Sequence, residues 1–398
     1  MQNFSFFYKD SLPLPAPNKA IWLHASSVGE VQALKPLITR LLQNTSYKII
    51  ISTMTITGQA QVKKMFGKKV FSIYKPYDLK CFNSWCLKKV QPDMLIVMET
   101  ELWPNLIKQV HLQKISLYLI NARLSDRSLT SYKKIFSLAK ATINSFDYIF
   151  TQSQKETENF LSLGASKERL HNAGNIKYDI TLPDNLNTIS LSIKDRLFAP
   201  AIPTASSFAF KEKTALPSVW IAASTHHNEE EILLDIHQSL RQSQPQALLI
   251  LAPRHPERFS AVINLCKQKN MHYITRSSKK PCNHNTEVFI LDSLGELLYF
   301  YPLAQIAFIG GSLVPIGGHN PLEALAVNTP VVWGPHMFHF TEIKNTLLQN
   351  HLALEVSEKD QLKPIVLQAL QNLQKKDFTD FFKAHSGAVD TIYNKITS

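Results

Sequence analysis

Cysteine is scarce in this sequence and is not arranged to bind a metal. The four cysteines (Cys81, Cys86, Cys266 and Cys282) are spread over 398 residues, and no two of them form a CxxC pair. This spacing argues against a zinc cage and against a redox dithiol. Free thiols in a reducing compartment are therefore expected.

Histidine pairs with metal-binding spacing are lacking as well. No two histidines have the HExxH spacing of a zinc-binding helix. Five histidines follow predicted strands in the second half of the chain: His226, His227, His319, His336 and His339. We interpret them as hydrogen-bonding groups rather than metal ligands.

Long apolar runs do not occur. No stretch of about 18 apolar residues is present, so the sequence predicts no bilayer-spanning helix. The first twenty residues, MQNFSFFYKDSLPLPAPNKA, lack the continuous apolar core of a secretory signal. With 44% hydrophobic and 19% charged residues the composition is that of a globular protein, and 398 residues suffice for two ordinary domains.

Acidic residues are outnumbered, and the imbalance is confined to one half of the chain. Residues 1–187 carry 24 Lys and Arg against 13 Asp and Glu, whereas the remainder carries 19 against 18. The excess is densest among Lys63, Lys64, Lys68 and Lys69. Such a surface suits nucleic acid, anionic lipid or a phosphorylated substrate, or is simply a solvated basic face.

Short apolar runs alternate with helical patterns along most of the chain. The sequence predicts strands at 21–23, 48–52, 70–73, 94–98, 115–120 and 148–151, and again at 219–223, 247–251, 288–291, 304–309 and 330–333. This alternation predicts α/β architecture with two doubly wound parallel sheets. The proline- and serine-rich stretch 183–216 is interpreted as a linker or an exposed insertion.

One glycine-rich stretch, FIGGSLVPIGGHNPLEALA at 308–326, has the strongest local signal. A strand leads into two glycine pairs, and Pro321 occupies the expected first position of a helix. A strand, a glycine loop and an open helix start predict an anion-binding site. The alternative is a tight turn between strand and helix.

Charged residues follow several predicted strands, where open α/β sheets bind ligands. Glu30 lies in the first helical turn after the first strand, where a carboxylate can serve as a general base. Ser27 and Glu30 also form a capping-box pattern, and the local sequence alone favours this structural role over the catalytic one. Glu99 and Glu101 follow a buried strand, and we expect one functional acid and one structural partner. Lys177 could stabilise negative charge or could be a solvated loop lysine. Arg254 could bind a phosphate or could form a surface ion pair.

Nine motifs occur in order between residues 21 and 340: HASSVGE, STMTITG, METELWPN, NARLSDRS, GNIKYD, AASTHHNEEE, APRHPER, GGSLVPIGGHNPLEALA and WGPHMFHF. Together they resemble the Kdo transferases of Gram-negative bacteria, which are glycosyltransferases of the GT-B fold. These enzymes move 3-deoxy-D-manno-octulosonic acid (Kdo) from CMP-Kdo onto lipid A precursors. The resemblance implies two Rossmann-like domains facing each other across a cleft, at 1–187 (acceptor) and 217–376 (donor), with a linker at 188–216 and a closing helix at 377–398.

The resemblance assigns roles to individual residues. Glu30 matches the general base that deprotonates the 6-hydroxyl of the acceptor, lipid IVA. Glu99 and Lys177 match residues that stabilise the transition state. The positions that match CMP-binding residues are Pro253, Arg254, Leu294, Gly295, Glu296, Asn320, Pro321, Leu322 and Glu323. The implied reaction inverts the anomeric centre and needs no obligatory metal or other cofactor.

The resemblance also implies partners and a location. The basic first half would attract a bisphosphorylated lipid at an anionic membrane surface, and no nucleic acid is expected. Members of the family usually begin with a hydrophobic anchor, whereas this sequence starts close to its first strand. We expect the cytoplasmic face of the inner membrane, with attachment through an absent N-terminal segment or through the basic face and Phe4, Phe6 and Phe7.

Three other functions are compatible with parts of the pattern. Another GT-B nucleotide-sugar transferase or epimerase would share the loops but prefer UDP. A nucleotide- or lipid-binding protein without activity would not need Glu30, Glu99 and Lys177. A dehydrogenase is disfavoured because no GxGxxG follows the first strand.

Overall fold

The computed structural model describes residues 19–198, 218–372 and 376–398. These residues divide into two compact units. The first holds the described residues up to Thr181 together with Phe382–Ser398, and the second is Leu182–Phe381. The domain limits expected from the sequence remain predictions.

The first unit is built on a parallel sheet whose strands are buried on both faces. Among the described residues its strands are β1 Ala20–His24, β2 Lys48–Thr53, β3 Phe71–Tyr74, β4 Met94–Met98, β5 Ser116–Ala122, β6 Tyr148–Thr151 and β7 Leu170–Asn172. Their order is β3-β2-β1-β4-β5-β6-β7. The order reverses between β1 and β4, and such a switch point is where open α/β sheets bind ligands, at the carboxyl ends of the strands.

Helices cover both faces of this sheet: α1 Val28–Ala33, α2 Lys35–Asn44, α3 Ile56–Phe66, α4 Lys80–Val90, α5 Pro104–Leu112, α6 Asp126–Lys133, α7 Phe136–Ile143 and α8 Gln154–Ser162. Alternate residues of β1 enter separate cores, with Ile21 and Leu23 in one and Trp22 in the other. Burial on both faces explains why these strands are continuous apolar runs.

The second unit repeats the plan. Its strands within the described residues are β8 Val219–Thr225, β9 Leu248–Pro253, β10 Tyr273–Thr275, β11 Val288–Ile290, β12 Ile306–Ile309, β13 Val331–Trp333 and β14 Ala353–Glu355. The order β10-β11-β9-β8-β12-β13-β14 reverses between β8 and β12. All registered strand pairs in both sheets are parallel.

The remaining helices are α9 Leu186–Leu197, α10 Glu229–Arg241, α11 Phe259–Gln268, α12 Leu297–Phe300, α13 Leu322–Leu325, α14 Thr341–Gln349, α15 Leu362–Gln371, α16 Thr379–His385 and α17 Ala388–Thr397. Helix α17 returns to the first unit, where Ile392 and Ile396 enter the same core as Ile21. The predicted closing helix at 377–398 is broken at Gly387, which adopts a positive φ of 106°. Helices α1 and α2 are likewise separate, with the break just before Pro36, which lacks a backbone donor.

The stretch predicted as a linker is helical over its first part. Helix α9 buries Leu186, Ile193 and Leu197, and the Leu197 carbonyl accepts from the Cys282 amide at 2.8 Å. Residues 199–217 lie outside the described ranges, as do Phe4, Phe6 and Phe7. Among the helices that are described, none is long and apolar enough to cross a membrane.

Candidate active site

Glu30 is buried at the switch point of the first sheet. It follows β1 and lies in the first turn of α1, with 8% of its surface exposed. Its carboxylate accepts hydrogen bonds from the Ser26 amide and the Ser27 hydroxyl, both at 2.9 Å. The predicted capping box had Glu30 bonding the Ser27 amide; the carboxylate instead reaches the amide one residue earlier, while Ser27 caps the Glu30 amide at 3.3 Å.

Burial gives this carboxyl an unusual affinity for a proton. The pKa of Glu30 is raised to about 7, and desolvation is the main cause. The negative charge of Glu99 also contributes to the rise, and that of Glu101 contributes less. The two hydrogen bonds from Ser26 and Ser27 oppose the rise without cancelling it. A carboxyl with this pKa is half ionised near neutral pH, which suits a general base.

Glu99 and Lys177 form an ion pair beside Glu30. Glu99 follows β4, the strand next to β1, and its Oε1 lies 3.0 Å from the Lys177 Nζ. Lys177 is therefore not a solvated loop lysine, which was one of the two interpretations left open by its sequence context. Glu99 adopts a left-handed φ of 57°, which a residue with a side chain adopts only where its surroundings compensate the strain.

A buried amide network holds the Lys177 turn in place. The Asn175 side chain accepts from the Lys177 amide and donates to Gln152, at 3.0 and 3.1 Å. Asn121 accepts from the Ile176 amide at 3.0 Å, and Gln152 donates to the Asn121 carbonyl at 2.8 Å. The turn is thus fixed to the ends of β5 and β6.

The C-terminal helix is tied to the same turn. Asp179, two residues after Lys177, accepts from the amides of Gly387 and Val389, both at 2.6 Å. These amides open α17, so Asp179 caps that helix from outside. The Tyr178 and His385 rings are in contact as well, with centroids 5.3 Å apart.

A buried lysine at the carboxyl edge of the sheet was not anticipated. Lys75 follows β3, lies over the Trp103 ring at 3.4 Å from its centroid, and donates to the Pro76 carbonyl at 3.0 Å. Burial lowers the pKa of Lys75 to about 8. Nothing in the local sequence separates it from the exposed lysines around it.

In the second unit the glycine loop binds an anion that belongs to the chain itself. The amides of Gly311, Ser312 and Leu313 donate to the Glu229 carboxylate at 2.7, 2.9 and 2.9 Å, and the His226 amide donates at 3.0 Å. The prediction that these loop amides await an external anion is therefore wrong. Three successive glutamates opening a helix beside a glycine loop were the available signal.

The two glycines of the first pair are required for different reasons. Gly310 has no positive φ, but a Cβ there would collide with the Ser224 carbonyl of the neighbouring strand. Gly311 has a φ of 69°, which favours glycine.

The helix after the glycine loop starts differently from the prediction. Pro321 is the N-cap rather than the first helical residue, and the Asn320 side chain accepts from the Leu322 amide at 3.1 Å. The start of this four-residue helix is therefore capped, not open. Leu322 is fully buried, whereas Glu323 is exposed.

The other predicted CMP-binding positions follow adjacent strands of the second sheet. Pro253 ends β9, and the Arg254 amide donates to the Thr225 carbonyl of β8 at 3.0 Å. Leu294 and Gly295 follow β11, with Leu294 half exposed and Gly295 at a φ of 87°.

Glu296 is held by an arginine. Arg276 donates to it through Nε and a terminal nitrogen at 3.1 and 2.8 Å, and this pairing is the main reason that the pKa of Glu296 is lowered. Arg254 has no carboxylate partner among the described residues, so the surface ion pair considered for it is absent there.

The histidines near the glycine loop contact each other. His226 Nε2 and His319 Nε2 lie 2.7 Å apart. Within residues 19–198, 218–372 and 376–398, no group of three or more His, Cys, Asp or Glu side chains has the arrangement of a metal site.

Comparisons with known proteins find relatives over most of the chain. Residues 2–180 match the family model described as 3-Deoxy-D-manno-octulosonic-acid transferase (kdotransferase). The chain is 40% identical over 372 residues to the 3-deoxy-D-manno-octulosonic acid transferase of Haemophilus influenzae, covering 93% of this chain and 83% of that protein. It is 31% identical to the protein of the same name from Rickettsia prowazekii, covering 95% of this chain and 78% of that protein.

A solved structure shares the fold over nearly the whole chain. UDP-GlcNAc 2-epimerase from Neisseria meningitidis superimposes with a TM-score of 0.55 at 16% identity, covering 95% of this chain and 99% of that one. This likeness confirms the predicted GT-B fold and carries no information about substrate. The family is shown by the sequence relatives: the chain belongs to the 3-deoxy-D-manno-octulosonic acid transferase family.

Proposed function

We propose that this protein transfers Kdo from CMP-Kdo to the 6-hydroxyl of the lipid A precursor lipid IVA, in the biosynthesis of lipopolysaccharide. Family membership supports the donor sugar and the reaction class. The observation that carries the proposal is Glu30, a buried carboxyl with a pKa of about 7 at the switch point of the first sheet.

In the proposed step Glu30 removes the proton from the acceptor hydroxyl as its oxygen attacks the anomeric carbon of Kdo. The new carbon–oxygen bond forms on one face while the bond to the CMP phosphate breaks on the other, so the anomeric centre inverts. The proton ends on Glu30, and the electron pair leaves with CMP. Lys177, held by Glu99 at 3.0 Å, offers a positive charge to the negative charge that develops.

The donor is proposed to bind at the carboxyl edge of the second sheet. Arg254 is positioned there without a carboxylate partner in the described part of the chain, and suits the phosphate. The other proposed CMP-binding residues are Pro253, Leu294, Gly295, Glu296, Asn320, Pro321, Leu322 and Glu323. Because Leu322 is buried and its amide is capped by Asn320, we expect Leu322 to hold the start of its helix in place. Because Glu296 is paired with Arg276, we expect Glu296 to shape the loop.

The acceptor is proposed to be reached at the cytoplasmic face of the inner membrane. Exposed apolar side chains follow β2 and β3 at the edge that carries Glu30: Met54, Ile56, Tyr77 and Leu79. Ile56 and Tyr77 are 77% and 72% exposed. Such side chains suit contact with acyl chains or a lipid surface.

The direct test is transfer from CMP-Kdo, generated in place, to tetraacylated lipid IVA, followed by product mass. We expect the mass to rise by whole Kdo units with the wild type, and Glu30→Gln to lower the rate about 100-fold or more. Glu101→Gln serves as the matched control, because Glu101 lies near Glu30 without a proposed role in the chemistry. No product from a folded wild type that binds CMP would contradict the acceptor assignment.

Nucleotide preference tests the donor separately. We expect CMP, and not UMP or UDP, to raise the melting temperature, since ligand that binds only the folded state stabilises it. Stabilisation by UDP alone would favour another GT-B nucleotide-sugar enzyme. Because side chains supply both the base and the stabilising charge, we also expect activity to persist in EDTA.

A further inference from the structure

Three histidines surround Arg254 at the carboxyl edge of the second sheet, and the proposed transfer uses none of them. His226 follows β8, His255 follows Arg254 directly after β9, and His319 lies in the glycine loop after β12. The planes of the His226 and His319 rings are within 6° of parallel, with centroids 5.0 Å apart, and the His255 ring meets His226 edge-on at 5.3 Å.

The contact between His226 and His319 restricts how many protons the two rings can hold. Their Nε2 atoms lie 2.7 Å apart, so one must donate and the other accept. A neutral pair meets this condition with a single proton between the rings. One further proton gives an imidazolium that still donates to a neutral imidazole, whereas a second would place two donors face to face and break the contact.

The surroundings of the pair are rich in positive charge. The cationic or titratable groups that face the two rings are Arg254, Arg258, His255 and His339. The two nearby carboxyls are already engaged: Glu229 accepts from four backbone amides, and Glu230 lies 3.1 Å from Arg258.

These surroundings hold the pair neutral in the free protein. Burial, then the neighbouring His226 and Arg254, lowers the pKa of His319 to about 3, and burial lowers the pKa of His226 as well. A phosphate placed on Arg254 would add the negative charge that is missing from this edge, and would favour the charged form of the pair.

We propose that the His226–His319 pair takes up one proton from solvent when the phosphate of the donor nucleotide binds beside Arg254. The pair would then present a second positive charge to that phosphate, which carries more negative charge once CMP has been released from Kdo. No covalent bond is made or broken, and the proton returns to solvent when CMP leaves. This inference rests on the proposed function, because it requires a cytidine nucleotide in the second unit.

Titration calorimetry of CMP at about pH 8 measures the proton directly. The phosphate of CMP has its second pKa near 6 and is a dianion at this pH, and a position beside the Arg254 cation lowers that pKa further, so the proton is not expected on the ligand. Heats measured in buffers of different ionisation enthalpy give the number of protons taken up. We expect an uptake above zero and at most one proton for the wild type, larger at lower pH, and a Kd that rises by up to tenfold per pH unit as pH increases.

Two variants and one control make the test specific. His319→Asn and His226→Asn should each reduce the uptake to near zero and flatten the dependence of Kd on pH, and melting curves would verify that each variant folds. His227→Asn, at the exposed histidine next in the chain, should leave the uptake unchanged.

The possible failures are distinguishable. CMP binding to the wild type without proton uptake, or uptake retained in both variants, would overturn this inference and leave the proposed transfer intact. Absence of any CMP binding to a folded wild type would overturn both.

Discussion

The carboxyl of Glu30 is held by hydrogen bonds that favour its charged form and by burial that disfavours it. Burial dominates, and the pKa reaches about 7. The nearby Glu99 carboxylate contributes to this value, although Lys177 at 3.0 Å neutralises part of its charge. The Glu99–Lys177 pair therefore has two consequences, because it positions a cation and also tunes the base.

Replacing Glu99 should separate these two consequences. In Glu99→Gln the repulsion is lost, so the pKa of Glu30 falls and its carboxylate forms at lower pH. We expect the rising limb of kcat/KM against pH, near pH 7 in the wild type, to move to lower pH while the plateau drops about tenfold or more. Steady-state transfer assays from about pH 5 to 9 would measure both changes.

Glu101→Gln is the control for that experiment. Glu101 raises the pKa of Glu30 less than Glu99 does, so the limb should move in the same direction by a smaller amount, with little change in the plateau. A limb that stays in place in Glu99→Gln would contradict the assignment of the pH dependence to Glu30.

Among the elements of the first unit, α17 has a position that its sequence alone does not explain. It starts at Gly387 and Ala388, and its opening amides bind the Asp179 carboxylate rather than a capping residue of its own. Asp179 follows Lys177 by two residues. The same backbone turn therefore carries both the carboxylate that holds α17 and the lysine of the ion pair.

Asp179→Asn should therefore affect both stability and turnover. The amide keeps one acceptor and loses the charge, so we expect the free energy of unfolding to fall by about 1–2 kcal/mol. We also expect kcat to fall several-fold while KM for CMP-Kdo is unchanged, since the donor is proposed to bind in the second unit. Urea unfolding and steady-state kinetics measure the two effects.

The matched control is Asp184→Asn, at an exposed aspartate with no hydrogen bond or ion pair recorded among the described residues. Both quantities should stay at the wild-type values. If Asp179→Asn loses stability but keeps its kcat, the helix supports the fold and does not position Lys177.

Elements with a strong pattern were predictable and short edge elements were not. Apolar runs such as 94–98 match β4 residue for residue, because burial on both faces leaves no polar position to confuse the pattern. Strands β7, β10 and β14 were missed because each has only three residues and is partly exposed. The role of Glu229 was missed because three of its four amide partners lie more than 80 residues away along the chain.

For the molecule as a whole, the sequence was sufficient to predict two parallel sheets, whereas the edge at which each would bind a ligand stays a prediction. Residues after neighbouring strands must lie close together, so Glu30 and Glu99 could be expected near each other. The pairing of Glu99 with Lys177 could not, because 78 residues separate them and only packing sets the register between them.

Net charge is also a property of the whole molecule. The structure locates four of the lysines that make the first half of the chain basic. Lys63, Lys64, Lys68 and Lys69 are all exposed at the C-terminal end of α3 and just after it. Helix α3 starts beside the carboxyl edge and spans ~16 Å, so these lysines lie toward the opposite edge from Glu30. They can attract an anionic surface from a distance, whereas Ile56 and Leu79 lie at the edge itself.

Membrane binding should therefore depend on two groups of side chains in different ways. Changing the four lysines to Gln should weaken sedimentation with vesicles that contain phosphatidylglycerol at low salt, and the difference should shrink at about 0.5 M salt because screening removes long-range attraction. Ile56→Ser with Leu79→Ser should weaken binding at both salt concentrations, because burial of apolar side chains is not screened.

A charge-matched variant distinguishes local from general attraction. Four exposed lysines elsewhere in the first unit, Lys108, Lys114, Lys133 and Lys134, can be changed to Gln with the same loss of net charge. If binding falls equally in both lysine variants, net charge alone draws the protein to the surface. If neither the lysine nor the apolar changes alter binding, attachment does not use this face of the first unit, and the proposed route of the acceptor to Glu30 is wrong.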